Sequence, residues 1–246
     1  MKLAWIGILL VVLVWLITVY VVHVDSMIIP TPKTVGVSLV EMIASGDLPK
    51  NLAATLYRLF FGFTISLIAV PIGLIMGYYP KIYNAFEVVV DFFRSIPSVA
   101  LYPLFIWIYG ISGNKAKIAV VVFGCSLVIL VNTLSGVMNC HKNRIMVAKT
   151  MRFSSFQIFT RVIFLEALPQ IFVGFRVSIS LALIVVVVTE MFLGSTSGIG
   201  KSIYDAQQIL HSGRMWAGIL VAGLLGYLLN KGIMWFERRY IHWAGK

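Results

Sequence analysis

Residues 171–193 read IFVGFRVSISLALIVVVVTEMFL, and only Arg176 and Glu190 in that run carry charge. An α-helix rises about 1.5 Å per residue, so the run is about 35 Å long, enough to span the roughly 30 Å hydrocarbon core of a bilayer. Backbone polar groups must be paired internally in that medium, so such a run crosses it as a helix. The same signature recurs on either side, at about 3–24, 52–79, 85–109, 118–138 and 215–236. Together the runs predict an all-α polytopic membrane protein of about six transmembrane helices, one transmembrane domain filling 1–246.

The composition agrees with this. Of 246 residues, 60% are hydrophobic and 12% charged, whereas soluble domains carry about a quarter charged residues. A soluble enzyme is excluded, and the residues left between the runs are too few for a separate soluble domain. The first run is long for a signal peptide and no small-residue cleavage site follows it, so it reads as a retained span. A net charge of +11 in a soluble chain would suggest nucleic acid. In a polytopic chain basic residues gather on the cytoplasmic side, and no nucleic-acid partner is expected.

Six spans put both termini on one side. The N-terminus, the 80–84 turn, residues 139–170 and the tail from Lys231 hold eleven Lys and Arg. The opposite connections hold six: Lys33, Lys50, Lys115, Lys117, Lys201 and Arg214. The bias places the termini in the cytoplasm. Residues 25–51 form a polar connection with a short amphipathic helix near Val35–Ile43, and a second short helix is expected near Lys201–Leu210.

Nothing in the pattern builds a catalytic or metal centre. His23, His141, His211 and His242 are scattered, and no HxxxH, CxxC or paired-carboxylate spacing occurs. Cys125 and Cys140 lie too far apart along one helical run for a disulfide. Residues 194–202, Gly-Ser-Thr-Ser-Gly-Ile-Gly-Lys-Ser, imitate a phosphate loop. That loop needs four residues between its first glycine and the Gly-Lys pair, and here there are five. A glycine-rich re-entry loop is the favoured reading, with no cofactor bound by this chain.

Ionisable and polar residues inside spans cost several kcal/mol unless they face protein or water. Arg176 and Glu190 are fourteen residues apart, close to four helical turns, so they share roughly one face with Ser180. A pathway-lining stripe and snorkelling at opposite membrane surfaces both account for Arg176; Glu190, with its short stem, favours the pathway. In the third run Arg94-Ser-Ile-Pro97 and Tyr102-Pro103 predict a bent or broken helix. Asn132 and Ser135 share a face, which suits interhelical hydrogen bonding as well as a pathway.

Between the fourth and fifth runs, Met146, Thr150 and Phe153 fall at i, i+4 and i+7 and predict an amphipathic helix with basic flanks. Docking into a groove on a soluble partner and lying on an anionic leaflet fit that pattern equally.

Three pieces taken together carry a family resemblance. They are Arg94-Ser-Ile-Pro97 with Tyr102-Pro103-Leu-Phe, Ala167-Leu-Pro169 with Gly174-Phe-Arg176, and Thr189-Glu190-Met191 before Gly198-Ile-Gly200. The chain resembles ABC importer permeases of the binding-protein-dependent type, in the nitrate/sulfonate/taurine/bicarbonate branch, from Pro30-Thr-Pro32 to about Gln208. The resemblance implies a type I importer fold in a bacterial cytoplasmic (inner) membrane and a transport subunit in place of an enzyme. It implies a homodimer with two ATPase subunits that hold ATP and Mg, and an extracytoplasmic solute-binding protein. The implied cargo is a small anion such as a sulfonate, nitrate or bicarbonate; similar permeases carry thiamine-precursor-like heterocycles. An ATP-independent secondary carrier or channel and a nonproductive, regulatory permease are the rival readings.

The resemblance also places Met146, Val147, Ala148, Lys149, Thr150, Met151 and Arg152 in the coupling loop, within a cytoplasmic segment at about 139–170. The family pattern there begins Glu-Ala-Ala and has glycine six residues after the Glu. Here those places hold Met146, Val147, Ala148 and Arg152, and Phe164-Leu165 replaces a Leu-Pro. A side chain at 152 opposes both a positive φ and close backbone approach. Glu190, Arg176, Ser180, Asn132 and Arg94 are the residues expected along the pathway.

Overall fold

The structure is a computed structural model that describes residues 2–111, 113–192 and 194–240. Every regular element among the described residues is helical. In chain order they are α1 (Lys2–Tyr20), α2 (Pro32–Ala44), α3 (Asp47–Ser66), α4 (Ala69–Tyr78), α5 (Pro80–Ser95) and α6 (Tyr102–Tyr109). There follow α7 (Lys115–Met138), α8 (Lys142–Thr150), α9 (Ser155–Ile158), α10 (Phe164–Met191), α11 (Ile199–Gln208) and α12 (Ser212–Tyr240). A 3₁₀ turn, Ser98–Leu101, precedes α6, and a π turn, Phe159–Ile163, joins α9 to α10.

Among the described residues, four stretches are long and apolar enough to cross a membrane: Asp47–Tyr78, Lys115–Met138, Ser155–Met191 and Ser212–Tyr240. The arms Pro80–Ser95 and Ser98–Tyr109 make a fifth if they count as one span, bent by 85°. Within α1 lies a shorter apolar stretch, Leu9–Tyr20. Five of the six expected runs overlap a spanning stretch, the third only if its bent arms count as one; the first, 3–24, meets only the shorter stretch in α1.

Two local readings need correction. The third run breaks at Pro97 alone. Pro103 sits in the first turn of α6, where its missing N–H has no helical acceptor to lose and its fixed φ suits helix initiation. The fifth run begins at Ser155, well before 171, so 155–170 is helix and not a polar connection. Ser154 caps it: the Ser154 hydroxyl accepts from the Gln157 N–H at 3.3 Å, and the Gln157 side chain accepts from the Ser154 N–H at 2.8 Å. Pro169 is carried inside α10.

The chain divides into two compact units, described separately. One comprises the residues up to Thr55 with Glu190–Leu224. Its core is Val35, Met42, Leu48 and Ala217, with Trp15, Leu39, Trp216 and Val221 packed around it. Trp15 and Trp216 stack with centroids 6.2 Å apart. Their indole N–H groups donate to the Pro30 and Ile28 carbonyls at 3.1 and 3.0 Å, which fixes the connection into α2. Thr31 caps α2 by accepting from the Thr34 N–H, and Pro32 occupies its first turn.

The other unit comprises Leu56–Thr189 with the residues from Leu225 onward. At its centre is α7, whose Val120, Val121, Cys125 and Ile129 have no solvent exposure. Helix α4 packs on α7 through Gly73 and Gly77, a small-xxx-small pair that lets helices approach closely where no aqueous hydrophobic effect drives them together. A Cβ on Gly73 would lie 2.9 Å from the Leu130 carbonyl oxygen, and one on Gly77 2.7 Å from Val137 Cβ. Nothing on α5 is buried within the chain.

Gly73→Leu should therefore destabilise the detergent-solubilised protein by about 3 kcal/mol or prevent its folding. Gly36→Ala, where an added Cβ meets nothing within 4 Å, should be neutral or slightly stabilising. Thermal unfolding of the two variants side by side checks both.

Candidate functional site

The expected re-entry loop is organised by Glu190, whose side chain has no solvent exposure. The Thr55 hydroxyl lies 2.9 Å from each carboxylate oxygen and donates its single proton to them. The Gly200 N–H donates to the same carboxylate at 2.9 Å. Thr55 in turn accepts from the Ile199 N–H at 2.9 Å, and Asn51 accepts from the Gly198 N–H at 2.8 Å. Ile199 and Gly200 open α11, so side chains satisfy the N–H groups that a helix start leaves without partners. The carboxylate also sits where the helix dipole favours negative charge.

Gly198 completes this clasp. Its φ is +127°, a conformation that side-chain-bearing residues rarely adopt. A Cβ there would also overlap the Glu190 carboxylate. The pieces Thr189-Glu190-Met191 and Gly198-Ile-Gly200 are thus parts of one device. Its other halves, Asn51 and Thr55, were not singled out in the sequence because they lie about 140 residues away and are individually common.

The remaining expected pathway residues are engaged elsewhere, in the second unit. Arg176 pairs with Glu237 at 3.7 Å, and the Ser180 hydroxyl donates to the Arg176 carbonyl at 3.2 Å. Asn132 accepts from Gln170 of α10 at 3.1 Å, an interhelical bond of the simple packing kind, and donates to the Val128 carbonyl of its own helix at 2.8 Å. Arg94 pairs with Asp91 at 3.1 Å, both well exposed. Arg94, Asp91 and Glu87 line a 280 Å³ cavity with Tyr83, Ser135 and Asn139. Sequence reading passed over Glu87 and Asp91, although their i, i+4 spacing with Arg94 at i+7 marks one face of α5.

Two further cations are buried. Arg58 is 2% and Lys117 1% exposed. Arg58 Nε donates to Asn114 at 2.8 Å, and Lys117 Nζ to the Gly113 carbonyl at 3.2 Å. Lys117 thus lies buried in the first turn of α7 and not in a solvated connection.

The expected coupling segment falls on α8 and its flanks. Glu166, in the first turn of α10, accepts from the His141 N–H at 3.2 Å and the Cys140 thiol at 2.9 Å, and pairs with Arg144 at 3.3 Å. One carboxylate thus fastens the start of α8 to α10. Burial, reinforced by Glu166, pushes the Cys140 thiol up to about 12, so it stays protonated at neutral pH.

At the other end of α8, the Arg152 N–H donates to the Lys149 carbonyl at 3.0 Å and the Phe153 N–H to Ala148 at 3.1 Å. Arg152 has φ +58°. This is a Schellman closure, which normally uses glycine at the left-handed position. The sequence expectation that Arg152 opposes a positive φ meets a turn that forms regardless, at a cost of about 1 kcal/mol. Phe153 lies beyond the helix and packs in a cluster with Ala148 and Ile145, so the expected Met146–Thr150–Phe153 ridge is not continuous. Met146, Val147 and Met151 are instead 56%, 57% and 63% exposed.

Residues 69–242 match the family described as binding-protein-dependent transport system inner membrane component, and the chain belongs to that family. It is similar to the putative aliphatic sulfonates transport permease protein SsuC of Bacillus subtilis (strain 168), 30% identical over 89% of this chain and 79% of that protein. It is also similar to the taurine transport system permease protein TauC of Escherichia coli (strain K12), 27% identical over 95% of this chain and 86% of that protein. The solved inward-facing MetNI methionine ABC transporter shares the fold, with a TM-score of 0.65 at 21% identity over 79% of this chain and 94% of that one. The chain is thus a multi-pass membrane permease with the fold of type I importer subunits.

Gly198→Ala should open the clasp, which limited proteolysis would register as faster cleavage between 194 and 198. Thr55→Ser, which keeps the hydroxyl, should not change that rate. Arg152→Gly should stabilise the turn after α8 by about 1 kcal/mol, seen as slower amide exchange at Arg152 and Phe153.

Proposed function

We propose that this permease works as one of two identical membrane subunits of an importer, with ATP and Mg held by two separate ATPase subunits. A solute-binding protein delivers the cargo on the extracytoplasmic side. Both termini face the cytoplasm of a bacterial inner membrane. The named sulfonate and taurine relatives support a small sulfonate cargo; bicarbonate and nitrate are small anions of the same class.

The observation that carries this reading is α8. Met146, Val147 and Met151 are exposed at one end of a short helix whose start is pinned by Glu166 to a spanning helix. An apolar surface that small and that firmly held suits insertion into a groove on a partner. The Arg152 turn keeps the backbone geometry a glycine would supply, which disfavours a degenerate, nonproductive subunit. Residues Met146 to Arg152 then form the docking element. Movement of the ATPases passes through Glu166 to α10, and ATP shifts the population toward the closed state only by binding that state preferentially. Arg94, with Glu87 and Asp91, lines the pathway on the unburied face of α5. Arg176, Ser180 and Asn132 hold the helices that flank it, and Glu190 anchors the outer re-entry loop.

Glu166→Gln separates docking from coupling. ATPase subunits should still co-purify, while ATP-driven uptake in proteoliposomes falls about tenfold with the loss of charge-assisted bonds. The same substitution removes a negative charge beside Cys140, so the thiol should ionise more readily. Because the thiolate is the nucleophile, alkylation of Cys140 at pH 8.5 should then run about tenfold faster. Unchanged uptake together with faster alkylation would remove Glu166 from the coupling route.

A further inference from the structure

Behind α8 lies a cavity of 690 Å³ that docking does not use. Lys142 and Lys149 are exposed and Ile145 half-buried; at i, i+3 and i+7 they share one face of the helix and line the cavity, which Met146, Val147 and Thr150 do not. Its walls also include Asn84 from α5 and the apolar side chains of Val137, Ile158 and Ile163. The volume falls in the range of about 300–1,000 Å³ typical of ligand pockets.

The lining is chemically two-sided. Lys142 and Lys149 supply two ammonium groups, neither in an ion pair among the described residues, and no acidic residue lines the cavity. Cys140, in the same wall, stays a neutral thiol. Away from the lysines the surface is hydrocarbon. Free phosphate would satisfy the charges and leave the apolar part wet. An apolar helix would bury two unpaired ammonium groups, which is costly. A ligand that fits both halves carries an anionic head and an alkyl tail, and basic pockets beside spans take such headgroups.

We propose that this cavity binds an anionic phospholipid, with its phosphate on Lys142 and Lys149 and an acyl chain along Val137, Ile158 and Ile163. Lipid then occupies the side of α8 turned away from the ATPase, so one short helix meets both leaflet and partner. Its effect on coupling rests on the docking role of α8; the lipid site itself does not.

Native mass spectrometry of the detergent-purified full chain tests this, with phosphatidylglycerol, phosphatidylcholine or inorganic phosphate added. Phosphatidylglycerol should bind selectively, and the pair Lys142→Gln with Lys149→Gln should weaken it about thirtyfold. The control pair Lys81→Gln with Arg161→Gln removes equal charge from the same basic region without touching the cavity lining. It should weaken binding by about threefold at most. Equal weakening in both pairs would reduce the effect to diffuse attraction and overturn the site. Undiminished binding in the first pair, or displacement of the lipid by inorganic phosphate, would overturn it as well. Co-purification of an ATPase is scored in parallel: its absence alongside intact lipid selectivity would fault the docking reading and leave the lipid site standing.

Discussion

Two carboxylates on α10 are held by backbone N–H groups of other helices, and the organisation of both functional regions depends on that arrangement. A carboxylate taken from water loses several kcal/mol of solvation unless donors replace it. Helix starts supply such donors, because their first N–H groups have no partner within the helix. Glu166 meets the N–H at the head of α8, and Glu190 meets the second N–H of α11. Each pairing solves two problems together: the charge is solvated by protein, and a short helix outside the spans gains a fixed origin.

That arrangement gives two short helices fixed ends. Isolated helices of nine or ten residues are marginal in water, yet α8 and α11 are of this length. Glu166 and the Schellman turn at Arg152 close α8 at both ends and fasten it to α10, as the proposed docking role requires. At α11, the absence of space for a Cβ at Gly198 makes the loop conformation nearly all-or-none. A loop so held is suited to presenting one shape to a docked partner.

The sequence was legible where a single local rule dominated. Apolar length located most of the spanning stretches, Pro97 located the break in the third run, and the glycines located the loop between α10 and α11. Legibility failed where a distant partner or a competing local signal decided the outcome. The helical start at Ser155 was hidden because Ser155, Gln157, Thr160 and Arg161 dilute the hydropathy there, although Ser154 with Gln157 is a capping box. Glu190 read as a pathway residue because intramembrane charge invites that reading, whereas Thr55 and the first N–H groups of α11 enclose it. Arg152 was expected to resist a turn whose two hydrogen bonds, together with the packing of Phe153, outweigh its strain.

The central claim is that this chain is driven by a separate ATPase that grips α8. The most direct test is purification of the protein from its native membrane in mild detergent, with the accompanying polypeptides weighed and counted. The account predicts a nucleotide-hydrolysing subunit present at one copy per permease, retained by the wild-type chain and lost when Met151 is replaced by Asp. A permease that comes out alone, and that still moves solute across vesicle membranes on an ion gradient without ATP, would contradict it.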